Sequence, residues 1–139
     1  MASFAFNNLL PDAFKGQILD SDTFYVMLTT AAFAADQDAH TKRSDVTNEV
    51  AGTGYTAGGQ AIVPTFTKDT TNNRLTIAFP AVTWPASTIT ARRAVYYKRR
   101  GGAASADELI AVDDFGADVT TGSGTFSLAA TTMQLGTPV

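Results

Sequence analysis

The glycines at 52, 54, 58 and 59 are the residues whose spacing most invites chemistry. Gly52-Thr53-Gly54-Tyr55-Thr56-Ala57 satisfies G-x-G-x-x-G/A, the turn that seats a dinucleotide pyrophosphate at a helix N-terminus. Its context is wrong for that task. A strand should lead in and a helix should follow, whereas residues 45–50 carry helical-turn spacing and Gly58-Gly59 comes next. Gly54 and Gly59 also have phosphate-loop spacing, but Gln60 and Ala61 stand where Lys and Ser/Thr are required, so no cation meets the phosphates. The expected role of these glycines is a tight turn at positive φ.

Other candidate centres fail on composition. Asp36-Gln37-Asp38 begins like a calcium loop, yet His40, Thr41 and Thr47 occupy its fifth, sixth and twelfth positions, where an oxygen ligand, a glycine and a bidentate Glu belong. Asp20/Asp22 and Asp113/Asp114 could be imagined as hydrolytic carboxylate pairs, but acids at turns and strand ends are usually solvated. His40 is the sole histidine and lies in a polar loop beside Lys42 and Arg43, so neither a His-rich metal site nor a triad is expected. The Ser and Thr residues have no base at a recognisable spacing. With no cysteine, thiolate catalysis and sulfur-ligated metals are excluded. The chain reads as a non-enzyme without a cofactor.

A basic, aromatic run is the remaining candidate. Arg92, Arg93, Lys98, Arg99 and Arg100 are half of the ten basic residues. On a strand, Arg93 and Arg99 share a face with Val95 and Tyr97, and Arg92, Lys98 and Arg100 share the other with Ala94 and Tyr96. One of Tyr96 and Tyr97 should then be buried and the other available to a partner. An anionic partner surface fits the run, and so does a charged edge that discourages strand-to-strand aggregation. At the N-terminus, Phe4 and Phe6, with Leu9, Leu10 and Phe14, could order on a neighbour's surface or pack over one end of the domain. The expected interface is therefore Arg92, Arg93, Tyr96, Tyr97, Lys98, Arg99 and Arg100 with Phe4 and Phe6, and Trp84 is expected in the core.

The elements that must position these residues are mostly strands. Helical spacing covers residues 7–18 and ends near Gly16, and Ser44 or Asp45 can cap a helical turn through Val50. Alternation predicts strands at 23–30, 61–67, 74–79, 82–84, 91–99, 108–115, 125–129 and 133–135, with Pro64 marking an edge or bulge and residues 69–73 a hairpin loop. Such a series predicts an all-β, jelly-roll-like β-sandwich with one or two short helices. All 139 residues form a single expected domain, with a possible N-terminal arm at 1–20 and a C-terminal tail at 135–139.

Net charge is −3, which disfavours direct nucleic-acid binding by the whole chain. No apolar run is long enough to span a bilayer, and residues 1–6 lack the features of an export signal, so a soluble chain without a membrane partner is expected. Charged residues are only 17%, a low density for a free surface, which predicts that partners cover part of it.

Asp45-Val46-Thr47-x-Glu49-Val50-x-Gly52-x-Gly54-Tyr55-Thr56-x-Gly58-Gly59, followed by Val82-x-Trp84, Ser87-Thr88, Ala91-Arg92 and Ala94-Val95-Tyr96-Tyr97, resembles a pattern in small structural proteins of tailed bacteriophages. It is most similar to capsid cement or decoration proteins of short-tailed, Bordetella-type phages, over residues 23–98. The resemblance implies a β-rich virion protein, made in the bacterial cytoplasm, that binds the capsid exterior and clamps neighbouring major capsid proteins. It also implies self-association, as a homodimer in preference to a homotrimer. The same pattern is compatible with a tail or head-fibre component that binds a host surface glycan. No catalytic residue is implied.

Overall fold

A computed structural model describes residues 3–135. The tail expected beyond Leu135 lies outside the described residues. Among the described residues, ten strands and one α-helix run in the order β1 (Phe4–Ala5), α1 (Leu9–Phe14), β2 (Phe24–Thr29), β3 (Gln60–Ile62), β4 (Thr65–Asp69), β5 (Arg74–Phe79), β6 (Val82–Ser87), β7 (Thr90–Lys98), β8 (Leu109–Thr120), β9 (Gly124–Leu128) and β10 (Thr131–Leu135). They build a five-stranded sheet β1-β8-β7-β2-β3, a three-stranded sheet β10-β5-β4 and a two-stranded sheet β6-β9, with every pairing antiparallel. The fold is the all-β sandwich that the alternation predicts.

The main core lies between the large sheet and the two smaller ones. Phe24, Val26 and Leu28 of β2 and Ala94 and Tyr96 of β7 meet Ile77 and Phe79 of β5, Trp84 of β6, and Phe126 and Leu128 of β9. Tyr96 stacks on Phe79 at 3.9 Å between centroids, and Trp84 meets Phe126 edge-on at 5.9 Å. Burying such rings contributes most of what holds a sandwich together. A second core covers the outer face of the same sheet, where Met27, Val95, Tyr97, Leu109 and Val112 pack with Phe6 and Phe33. The central strands β2, β7 and β8 are thus covered on both faces.

Several expectations are corrected. The strand predicted at 61–67 is two strands, β3 and β4, in different sheets, because the chain breaks at Val63-Pro64 and a proline cannot continue a ladder. The helical turn expected through Val50 is only a 3-10 turn at Arg43–Asp45; Val46 is already extended and Glu49 bridges Thr29 of β2. Among the described residues, the N-terminal segment packs on the domain instead of leaving it as an arm. Phe4 and Ala5 pair with Val112 and Ala111, Phe6 and Leu9 are buried, and the helix ends at Phe14, with Gly16 just beyond its Lys15 cap at a φ of +76° turning the chain back.

Candidate interaction surface

The 52–59 turn is a wedge between strands. Glu49 Oε1 accepts hydrogen bonds from the Tyr55 hydroxyl at 2.8 Å and the Gly58 N–H at 2.6 Å, and the Leu28 N–H donates to that hydroxyl at 3.0 Å. The Tyr97 hydroxyl donates to the Gly58 carbonyl at 2.5 Å. A Cβ at Gly59 would stand 1.7 Å from the Val26 carbonyl oxygen, and one at Gly54 2.7 Å from the Ser87 Cα. Gly54 and Gly59 therefore admit close backbone approach, and the Gly58 amide and carbonyl, the Gly59 amide and the Gly52 carbonyl are hydrogen-bonded within the domain.

Burial and pairing account for most of the predicted basic interface. Arg93 is buried, donates from Nε to Asp114 Oδ2 at 3.0 Å and reaches the carbonyls of Ala31 and Phe33. Arg92 holds Asp114 Oδ1 at 3.2 Å and lies 3.7 Å from Asp118. Lys98 is buried and donates to Asp22 Oδ2 at 2.8 Å and to the Gln17 carbonyl at 2.6 Å. Arg100 pairs with Glu108 at 2.9 Å. These cations tie distant segments together.

Tyr96 and Tyr97 are both buried, against the expectation that one would face a partner, because both faces of β7 are covered. Phe6 is likewise in the second core, and half-buried Phe4 meets it edge-on at 5.4 Å. These five residues, Arg93, Lys98, Tyr96, Tyr97 and Phe6, leave the interface.

Electrostatics follow the packing. Burial pushes Tyr97 up to about 12, with Arg43 and Arg99 pulling the other way. Burial opposes ionisation of Asp114 and Glu108, but the Gly116 N–H and Arg92 on the first, and Lys42 and Arg100 on the second, hold both below the usual carboxylate range. Asp113 and Asp114 are no acid/base pair: Asp113 accepts from the Ser3 hydroxyl at 2.7 Å, while Asp114 serves the arginines. His40 accepts from the Asp36 N–H at 3.1 Å and stacks on Phe33. Among the described residues, no group of three or more His, Asp or Glu side chains is gathered to hold a metal.

Two surfaces bear on the predicted interface. One is apolar: Leu10, Phe14 and Leu19 are 57%, 96% and 50% exposed. Leu10 and Leu19, with Leu9, Ile18, Phe66 and Leu75, line a cleft of about 150 Å³ between α1 and the three-stranded sheet. The other is Arg99, half-buried, with its guanidinium carbon 4.5 Å from the Tyr25 ring centroid. The sequence leaves Phe14 open between an arm on a neighbour's surface and a helix over one end of the domain, and does not single out Tyr25. The signal for Tyr25 is its alternation with Phe24 and Val26, which puts it on the outer face.

No family model, curated protein or solved structure matches the chain.

Proposed function

We propose that this chain is a structural protein of a tailed-phage virion, a cement or decoration subunit that binds the outside of the capsid and bridges neighbouring major capsid proteins. The observation that carries the reading is the apolar end of the domain, where Leu10 and Leu19 edge an apolar cleft and Phe14, four residues on from Leu10 in α1, faces solvent. Large apolar side chains gathered at one place mark a surface that a partner covers. The Asp45-to-Tyr97 motif pattern supports the virion assignment by resemblance, and its glycines and tyrosines serve the scaffold.

A cement subunit acts through many copies of a modest interface, so a shallow apolar end is sufficient where a deep site would be needed for catalysis. The ion pairs suit a rigid clamp, since they hold Asp22 before β2, the 41–45 turn and the β7–β8 hairpin to one another.

Cryo-electron microscopy of particles assembled with and without the chain tests the proposal. Extra density distributed over the shell, reduced by Phe14→Ser, is the expected result. Density confined to the tail or to a single vertex would overturn it in favour of a tail or head-fibre component.

A further inference from the structure

Arg99 differs from the other five arginines. Arg43, Arg74, Arg92, Arg93 and Arg100 each donate from Nε to a carboxylate, while the Arg99 guanidinium has no hydrogen-bond acceptor among the described residues. It is nonetheless held in place. Its backbone N–H donates to the Thr23 carbonyl at 2.9 Å, fixing it at the end of β7, and Tyr25 lies diagonally across on β2 beneath the guanidinium. Tyr25 leans on Tyr97 at 6.1 Å, and Arg43 covers the Tyr97 ring at 5.2 Å. The 52–59 turn completes the support, since Gly58 accepts from Tyr97 and a Cβ there would lie 3.6 Å from Arg99 Nη1.

A stacked arginine with a free fork has already lost the side-chain freedom that binding would otherwise cost, and its parallel N–H groups match a planar carboxylate. We propose that Arg99 on Tyr25 is a docking point for an Asp or Glu side chain of a partner protein. A nucleic-acid backbone fits less well. The Glu49 carboxylate is bound at Gly58, Asp107 pairs with Arg43, and the chain's net charge is −3, so closely spaced phosphates meet repulsion around Arg99. Nothing in this chemistry requires the partner to be a capsid subunit.

Nitrogen-15 NMR of the isolated full chain tests the site without a virion. A short oligoglutamate peptide should shift the Arg99 Nε–H resonance and the Tyr25 and Arg99 amides in a saturable way. Arg99→Gln, with an otherwise retained spectrum, should abolish those amide shifts. Arg99→Lys should weaken binding about tenfold, the equivalent of one charge-assisted hydrogen bond. Absence of the shift at Arg99, or equal binding by Arg99→Gln, would overturn the proposal. Tighter binding of an oligothymidylate than of oligoglutamate at the same site would overturn it in favour of a phosphate-binding surface.

Discussion

Tyr97 and Gly58, thirty-nine positions apart in sequence, are joined by a 2.5 Å hydrogen bond from the phenol to the backbone carbonyl. Both residues are buried, so the carbonyl has no access to water when the phenol is removed. Tyr97→Phe should lower the unfolding free energy by about 1–3 kcal/mol, the cost of leaving a buried acceptor unsatisfied. Chemical denaturation measures it, with the midpoint lowered and the slope unchanged. An unaltered midpoint would mean that the 52–59 turn does not depend on this contact.

Glycines 16 and 59 separate two reasons for requiring glycine. Both have positive φ, +76° and +82°, but a Cβ at Gly16 meets nothing within 4 Å whereas one at Gly59 collides with the Val26 carbonyl. Gly16→Ala should cost only the backbone penalty of about 1–2 kcal/mol. Gly59→Ala must also part the turn from β2, and should leave the chain insoluble or unfolded. Comparable soluble yields and melting temperatures would contradict the wedge.

Asp114 carries two arginines on a side chain that is 1% exposed, and Arg93 beside it is 8% exposed. Removing the carboxylate leaves a nearly buried guanidinium uncompensated on one side. Asp114→Ala should therefore destabilise by about 3–5 kcal/mol. Arg92→Ala, which leaves Arg93 and Asp114 paired, should cost clearly less. Denaturation of the two variants side by side decides it, and equal losses would show that Arg93 gains little from Asp114.

Stability should fall at both ends of the pH scale. Asp114 and Glu108 are held below their ordinary values of 3.8 and 4.5, so their contribution is present above those values and is lost as pH falls through the lower folded ones. At the alkaline end the sign reverses. Burial raises Tyr55, Tyr96 and Tyr97 above 10.0, so their contribution is complete below that pH and is lost as the unfolded chain ionises, with Tyr97 following in the folded state near 12. Denaturation midpoints across pH, with phenolate absorbance, should show these three phenols resisting ionisation until the fold opens. Their ready ionisation in folded protein would count against the burial described.

Local pattern made much of this fold legible. Phe24, Val26 and Leu28 and then Leu75, Ile77 and Phe79 alternate as inward residues of β2 and β5, and the 69–73 loop joins β4 to β5 where the turn residues cluster. The tight turn was also legible, since Gly54, Gly58 and Gly59 take the positive φ expected of them. What period-two reasoning could not reach was the second covered face. Tyr97 is buried because Phe33 and Phe6, more than fifty residues away, pack on the outer face of β7. The basic run was misread for the same reason: Asp22 and Asp114, which neutralise Lys98 and Arg93, come from other strands and turns. Arg99 alone among the arginines rests on an aromatic ring, Tyr25, with no carboxylate partner among the described residues.

Phe14 and Leu9 lie on one short helix and should behave in opposite ways. Leu9 is 4% exposed in the main core, so Leu9→Ala removes packed methyl groups and should cost about 2–5 kcal/mol. Phe14 is 96% exposed and contributes almost nothing to that core, so Phe14→Ser should change stability by less than about 0.5 kcal/mol. Its effect belongs to assembly: particles offered Phe14→Ser should retain fewer copies than particles offered the unaltered chain, at equal concentration and with the fold intact. Denaturation together with quantification of particle-bound protein separates these effects. If Phe14→Ser destabilised the monomer as strongly as Leu9→Ala, the ring would be packing on the domain in solution, and the apolar end would no longer be a free docking surface.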